Sequence, residues 1–273
     1  MKHKCLSIAG FDGSGGAGIQ ADIKTFSALG CYGMTVLTAL PIQNTCGVRN
    51  CYDIPLAAIR EQLEAIFDDI TPNSIKIGML FSAPIIDLVA NFLKKYAVNI
   101  PIVLDPVMIA KSGDSLLLTD AITTLKTELI PISTVITPNL PEACALVGSK
   151  SDSMEELAAK LIKLGPQTVL LKGGHSNNAY SNDLFLEKSG RMLWLEANRI
   201  DSNNTHGTGC TLSAAISSYL ALGMPLIDAC KYAKQYLSGA MLASKENSVG
   251  KGHGPVHHFY HLWPINKYYD NIR

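Results

Sequence analysis

The chain has 273 residues, 47% hydrophobic and 17% charged, enough apolar length to bury a large core, which excludes a disordered segment. Its 23 basic and 23 acidic side chains cancel, so it carries no general electrostatic footprint for nucleic acid or for an anionic membrane. Seven cysteines, an odd number with no CxxC pair, fit free thiols in a reducing cytoplasm better than a disulfide framework.

The basic start, Met1 to Lys4, is followed by only Cys5 to Gly10 before Asp12 interrupts, too short a run for a secretion signal. CLSIAG reads instead as a first buried strand. Gly13-Ser14-Gly15-Gly16-Ala17-Gly18 then opens a helix and, as spelled, satisfies the GxGxxG dinucleotide fingerprint. That fingerprint needs an acidic residue about 20 positions further on to hold a ribose. Here the second strand, MTVLTAL (Met34 to Leu40), runs into Pro41-Ile42-Gln43 without a carboxylate. What is left is a glycine-lined turn, either open to a flat ligand or needed only for packing. Regularity is lost over Gln43 to Tyr52, where a small lid is expected.

Short apolar runs then alternate with helical periods: SIKIG at 74–78, a stripe of Ile85, Ile86, Val89, Phe92, Leu93 and Tyr96, IVLDP at 102–106, TVITP at 134–138, a stripe of Met154, Leu157, Ala158, Leu161 and Ile162, and TVLLKGG at 168–174. Strands apolar throughout, each followed by a helix, predict a mostly parallel central sheet with helices on both faces, a three-layer α/β/α sandwich. Asp183 to Ala197 reads as two strands around Lys188-Ser189-Gly190, an antiparallel edge. Two helices follow, Gly207 to about Leu222 and Leu226 to about Ser244. No linker, charge block or repeat divides the chain, so one domain over residues 1–273 is expected. No apolar run reaches the ~18 residues of a membrane span.

Polar residues gather at the predicted C-terminal strand ends, where open α/β sheets bind ligands: Asp105, Asn139 with Glu142, and Lys172. Asn139 and Glu142, spaced N-x-x-E, could hold a hydrated Mg²⁺ with phosphate oxygens or form a capping box, and the two roles are compatible. Asn204-Thr205-His206-Gly207-Thr208-Gly209-Cys210 leads straight into an apolar helix, whose free N–H groups and dipole make an anion hole. Cys210 on the first turn is expected to have a lowered thiol pKa and to act as base or nucleophile, against the plainer reading of a small buried cysteine. A Walker A loop is absent, since the only GK pair, Gly250-Lys251, continues into Gly252. The histidines near the C-terminus, His253, His257, His258 and His261, are interrupted by Pro255 and are not expected to form a zinc site. Trp194 and Trp263 are expected to serve packing.

Together SIAGFDGSGGAGIQADIKTFSALGCYG, TALPIQNTCGV, KIGML, VLDPVM with AKSGD, ITPNLPEA, KGGH, NTHGTGCTLSAA and GKGHGPVHHF closely resemble hydroxymethylpyrimidine/phosphomethylpyrimidine kinase, a ribokinase-like family of thiamine biosynthesis. The resemblance runs in order from about Leu6 to Phe259. It implies an ATP- and Mg²⁺-dependent homodimeric enzyme of the cytoplasm. Its substrate would be 4-amino-5-hydroxymethyl-2-methylpyrimidine and then the monophosphate. It further implies that Gly10, Ala17, Gln43, Met79 and Val107 line the pyrimidine pocket, with the Gln43 amide on the amino and ring-nitrogen edge. Lys172, Asn139, Glu142 and Asp105 would serve the nucleotide, Glu142 through the metal. Gly207, Thr208 and Gly209 would receive the transferred charge, and Cys210 would stand where sugar kinases of the superfamily carry an aspartate base. Gly13, where many relatives have proline, departs from the pattern and is expected to loosen the first turn. Pyridoxal, also a hydroxymethyl on a flat nitrogen ring, is the nearest alternative substrate. A silent pyrimidine-binding module and a dinucleotide oxidoreductase are opposed by the intact Gly-Thr-Gly-Cys segment and by the missing acid near Gln43.

Overall fold

A computed structural model describes residues 2–108, 121–149, 153–174, 179–246 and 248–263. The AKSGD segment and His175 of the KGGH segment lie outside the described residues. The elements run β1 (Lys4–Ala9), α1 (Gly18–Ala28), β2 (Tyr32–Leu37), β3 (Ala39–Asn44), β4 (Gly47–Asp53), α2 (Leu56–Asp69), β5 (Ser74–Ile77), α3 (Ala83–Tyr96) and β6 (Ile102–Leu104). They continue with α4 (Ala121–Thr124), β7 (Val135–Ile136), α5 (Leu140–Val147), α6 (Met154–Ile162), β8 (Thr168–Leu171), β9 (Asp183–Glu187), β10 (Met192–Leu195), α7 (Thr208–Ala221) and α8 (Leu226–Ser244).

Eight strands form one sheet in the order β10-β9-β8-β7-β6-β5-β1-β2. The pairs from β2 to β8 are parallel, while β8–β9 and β9–β10 are antiparallel, the edge anticipated from the turn at Ser189-Gly190. Apolar residues of the central strands point alternately to two cores. Ile102 and Leu104 join the cluster under α2, α3, α5 and α6, whereas Val103 joins the one under α7 and α8. Both faces of the sheet are therefore dry, which is why these strands read as unbroken apolar runs.

MTVLTAL is not one strand. Thr38 breaks it, its hydroxyl donating to Met79 O at 2.6 Å and its N–H to Ala9 O at 3.1 Å. From Ala39 the chain leaves the main sheet and pairs with Gly47–Asp53 as a separate two-stranded hairpin, bulged between Ile42 and Gln43. The lid region is thus a regular hairpin. Its turn is strapped from above by the segment around residue 252. Thr45 O accepts from His253 N at 2.9 Å, and Thr45 Oγ1 from Gly252 N at 3.2 Å. Two residues on, Gly254 O accepts from His206 N at 3.0 Å, so the same strap reaches the loop before α7. A Cβ on Gly252 would collide with the Thr45 carbonyl, so only glycine permits this crossing. Among the described residues, no helix is long and apolar enough to cross a membrane and no group of three or more His, Cys, Asp or Glu side chains is gathered to hold a metal ion. Trp194 and Trp263 are largely exposed, contrary to the packing expected of them, although Trp263 stacks on Phe259 at 5.1 Å.

Candidate active site

Parallel strands with right-handed helical connections deliver their loop residues to one edge, and a cleft of about 580 Å³ opens there. Every site residue expected from the sequence lines it: Gly10, Ala17, Gln43, Met79 and Val107; Asp105, Asn139, Glu142 and Lys172; and Gly207, Thr208, Gly209 and Cys210.

At one end the floor is backbone and sulfur. A Cβ on Gly10 would lie 3.0 Å from Met79 Sδ, so a larger residue would fill the space beside it. Gln43 leans across from the hairpin, its Nε2 donating to Phe11 O at 3.2 Å. The far end is walled by the 197–202 loop and by Leu237 and Met241 of α8.

Between the ends lies the charged centre. Asp105 follows β6, and its Oδ1 accepts from Lys172 Nζ at 2.9 Å and from Thr137 Oγ1 at 3.1 Å. Its Oδ2 faces Gly209, where a Cβ would come within 3.2 Å of it and within 3.3 Å of Lys172 Nζ. Asn139 caps α5: its Oδ1 accepts from Glu142 N at 2.9 Å while Glu142 Oε2 accepts from Asn139 N at 2.8 Å. The capping box is therefore real, and it also holds the Glu142 carboxylate in the cleft, 4.0 Å from Lys172 Nζ. Burial pushes Glu142 up to about 7, against the pull of Lys172.

Gly207 begins the turn before α7 with φ 75, and a Cβ there would strike Gly16 O. Thr208 N donates to Thr205 O at 3.4 Å, and the turn seats the N–H groups of Gly209 and Cys210, which precede the first intrahelical bond, beside the first loop. Cys210 does not have the lowered pKa expected of a helix N-terminus. Enclosure by the cleft walls pushes the thiol up to about 11, outweighing the pull of Lys76 and of the Gly18 N–H, and Asp22 and Asp105 add to the rise. Desolvation outweighs the helix N-terminus because protein walls the sulfur, although the helix end itself opens on the cleft.

Several participants had no expectation attached. Asp12, fully buried, gathers the first loop: Oδ1 accepts from Ser14 N and Oγ at 3.0 and 2.7 Å, and Oδ2 from Gly16 N and Ala17 N at 3.0 and 2.7 Å. His206 Nε2 also donates to Oδ2 at 2.7 Å, tying this loop to the turn before α7. Burial alone would raise Asp12, but His206 and Ser14 outweigh it and hold the carboxyl down to about 2. The turn that Gly13 was expected to loosen is thus clamped from inside. Lys76 and its partner Asp22 lie under the cleft, and the sequence offered one signal for them: a lysine in the middle of the otherwise apolar strand SIKIG.

Known proteins resemble this chain over most of its length. A family model described as phosphomethylpyrimidine kinase matches residues 12–257. The hydroxymethylpyrimidine/phosphomethylpyrimidine kinase of Rhizobium meliloti (strain 1021) is 45% identical over 267 residues, 96% of this chain and 99% of that protein. The crystal structure of phosphomethylpyrimidine kinase from Clostridium difficile 630 is similar with a TM-score of 0.77 and 44% identity, covering 87% of this chain and 98% of that one. An ADP complex of Bacillus subtilis pyridoxal kinase has a TM-score of 0.87 and 36% identity, covering 96% of this chain and 100% of that one.

Proposed function

Since the chain belongs to the phosphomethylpyrimidine kinase family, we propose how its cleft divides the work of two successive phosphoryl transfers. The activity is ATP-dependent phosphorylation of 4-amino-5-hydroxymethyl-2-methylpyrimidine at its hydroxymethyl group, then of the monophosphate to the diphosphate, in thiamine biosynthesis. The observation that carries the assignment of residues is their convergence on one cleft, with an apolar, amide-edged end, a charged centre and an open helix N-terminus between.

In this reading the pyrimidine lies on Gly10 and Ala17 between Met79 and Val107, and Gln43 recognises its edge. The nucleotide takes the other end, with Lys172 and Asn139 toward its phosphates. The Gly207-Thr208-Gly209 turn receives the negative charge of the moving phosphoryl group. Cys210 takes the hydroxymethyl proton. Asp105 and Glu142 suit Mg²⁺, which keeps much of its water and binds through one or two carboxylates plus phosphate oxygens, so a closed protein cage is not required. When bound, the ion would neutralise charge on the phosphates; Glu142, poised near neutrality, would be held ionised beside it.

The chain acts as one kinase domain in the cytoplasm, a placement supported by its seven free cysteines. It forms a homodimer, for which the exposed Ile42 and Tyr52 of the hairpin and the adjacent Leu56 offer an apolar face. A coupled ADP-release assay with the pyrimidine alcohol, its monophosphate and pyridoxal tests the function. Turnover of the first two is expected; turnover of pyridoxal alone would transfer the site to that vitamin.

A further inference from the structure

Lys76 has no exposed surface, yet its ammonium ends at the cleft. Both oxygens of the equally buried Asp22 accept from Nζ, at 2.9 and 2.8 Å, and Asp22 Oδ2 accepts from Ser7 Oγ at 2.5 Å. As mere packing between β5 and α1 such a pair is a poor device, because apolar side chains of similar volume would join them at no desolvation cost. Its placement suggests a use. The lysine climbs its own strand, and a Cβ on Gly78 would lie 2.8 Å from Nζ. Helix α7 crosses β5 in the opposite sense, pinned where Ser217 Oγ meets Ser74 Oγ at 2.8 Å. From that pin, four residues up the strand to Gly78 span about 13 Å. Seven residues back along the helix to Cys210 span about 10 Å. The two paths end at nearly the same level, where Lys76 and Cys210 both line the cleft and each acts electrostatically on the other.

We propose that Lys76, oriented by Asp22 and Ser7, is the counter-charge of the Cys210 sulfur, a positioning residue that lets this thiol ionise within the cleft. The inference rests on Cys210 as the base. The hydroxymethyl proton passes to the thiolate sulfur, the freed oxygen pair forms the new bond to the γ-phosphorus, and the bond to ADP breaks with its electrons on ADP. Lys76 keeps its proton throughout: burial alone would strip it, but Asp22, Cys210 and Asp105 hold it charged. The other charged groups acting on this sulfur are Asp22 from α1, Asp105 after β6 and Lys172 after β8, with the Gly18 N–H completing its surroundings.

The test follows alkylation of Cys210 by iodoacetamide against pH in the full chain, read on the Cys210 peptide so that the other thiols do not interfere. Lys76→Met should move the curve to higher pH, slowing alkylation at pH 8 by about tenfold for each unit of displacement. It should lower kcat while the Michaelis constant for the pyrimidine stays within about twofold. Lys76→Met leaves Asp22 unpaired and can unfold the protein, so Asp22→Asn/Lys76→Met, which removes both charges, is made beside it. The same direction of shift is expected, and smaller, because the opposing charge of Asp22 is also gone. Lys76→Arg should restore the parent curve. A folded double variant whose curve coincides with the parent's overturns the proposal whatever its melting temperature. That failure is distinct from failure of the base itself, which would appear as a Cys210→Ser enzyme of parent kcat.

Discussion

Gln43 has committed one N–H of its amide to Phe11 O, which leaves its oxygen and second hydrogen for an aminopyrimidine edge. Gln43→Leu leaves that edge unpaired, and the Michaelis constant for the pyrimidine alcohol should rise by the equivalent of about 1–3 kcal/mol; an unchanged constant removes Gln43 from recognition. At Cys210 the loss should fall on chemistry. Cys210→Ser should lower kcat by about 10²–10⁴-fold with pyrimidine and ATP affinities retained. Because enclosure holds the thiol near 11, kcat of the parent should keep climbing through pH 10, where a thiol at the ordinary 9.0 would be levelling; a plateau below pH 9 would contradict the geometry. Asp12 acts on stability. Its carboxyl is held near 2 against an ordinary 3.8, so its contribution is complete above pH 3.8 and disappears as pH falls through 2. Asp12→Asn should cost about 2 kcal/mol at neutral pH and less in acid, measured by denaturant unfolding across that window.

The elements that could be read from the sequence were those whose burial leaves a period. Apolar runs in β1, β5, β6 and β8 and the stripes of α3 and α6 follow from being covered on two faces or on one. The loops were legible where a residue type has few other uses, as with Asn139 and Glu142 at a helix start or glycines around Cys210. Two kinds of feature were not legible. The end of β2 at Thr38 depends on a hydroxyl bond to Met79, a partner 41 residues away that local pattern does not encode. The thiol's raised pKa depends on the walls around a helix end, while sequence shows only the helix. The hairpin and its strap belong to the first kind, since the crossing joins residues with no local relation. Gly252→Ala places a methyl against the Thr45 carbonyl and must lift the hairpin that carries Gln43. The pyrimidine Michaelis constant should rise by about tenfold or more, while thermal unfolding of the eight-stranded sheet moves little; equal kinetics would show that the strap does not position the hairpin.

As a whole molecule the protein has a dry three-layer body with its chemistry at one edge, and its hairpin stands apart from the main sheet. If the apolar face of that hairpin is an interface, sedimentation should give twice the mass of one chain, and Tyr52→Arg should return it to a monomer; a parent that sediments as one chain ends the homodimer proposal. The strap also bears on synthesis. Gly252 meets Thr45 across 207 residues of sequence, among the longest loop closures in the molecule. Contacts of such separation cost the most entropy to form and so tend to form late. On the ribosome, the sheet can assemble strand by strand as it emerges, but the hairpin stays unlatched until the segment around Gly252 has left the exit tunnel. A nascent chain can therefore bury both cores before it is able to hold a vitamin precursor.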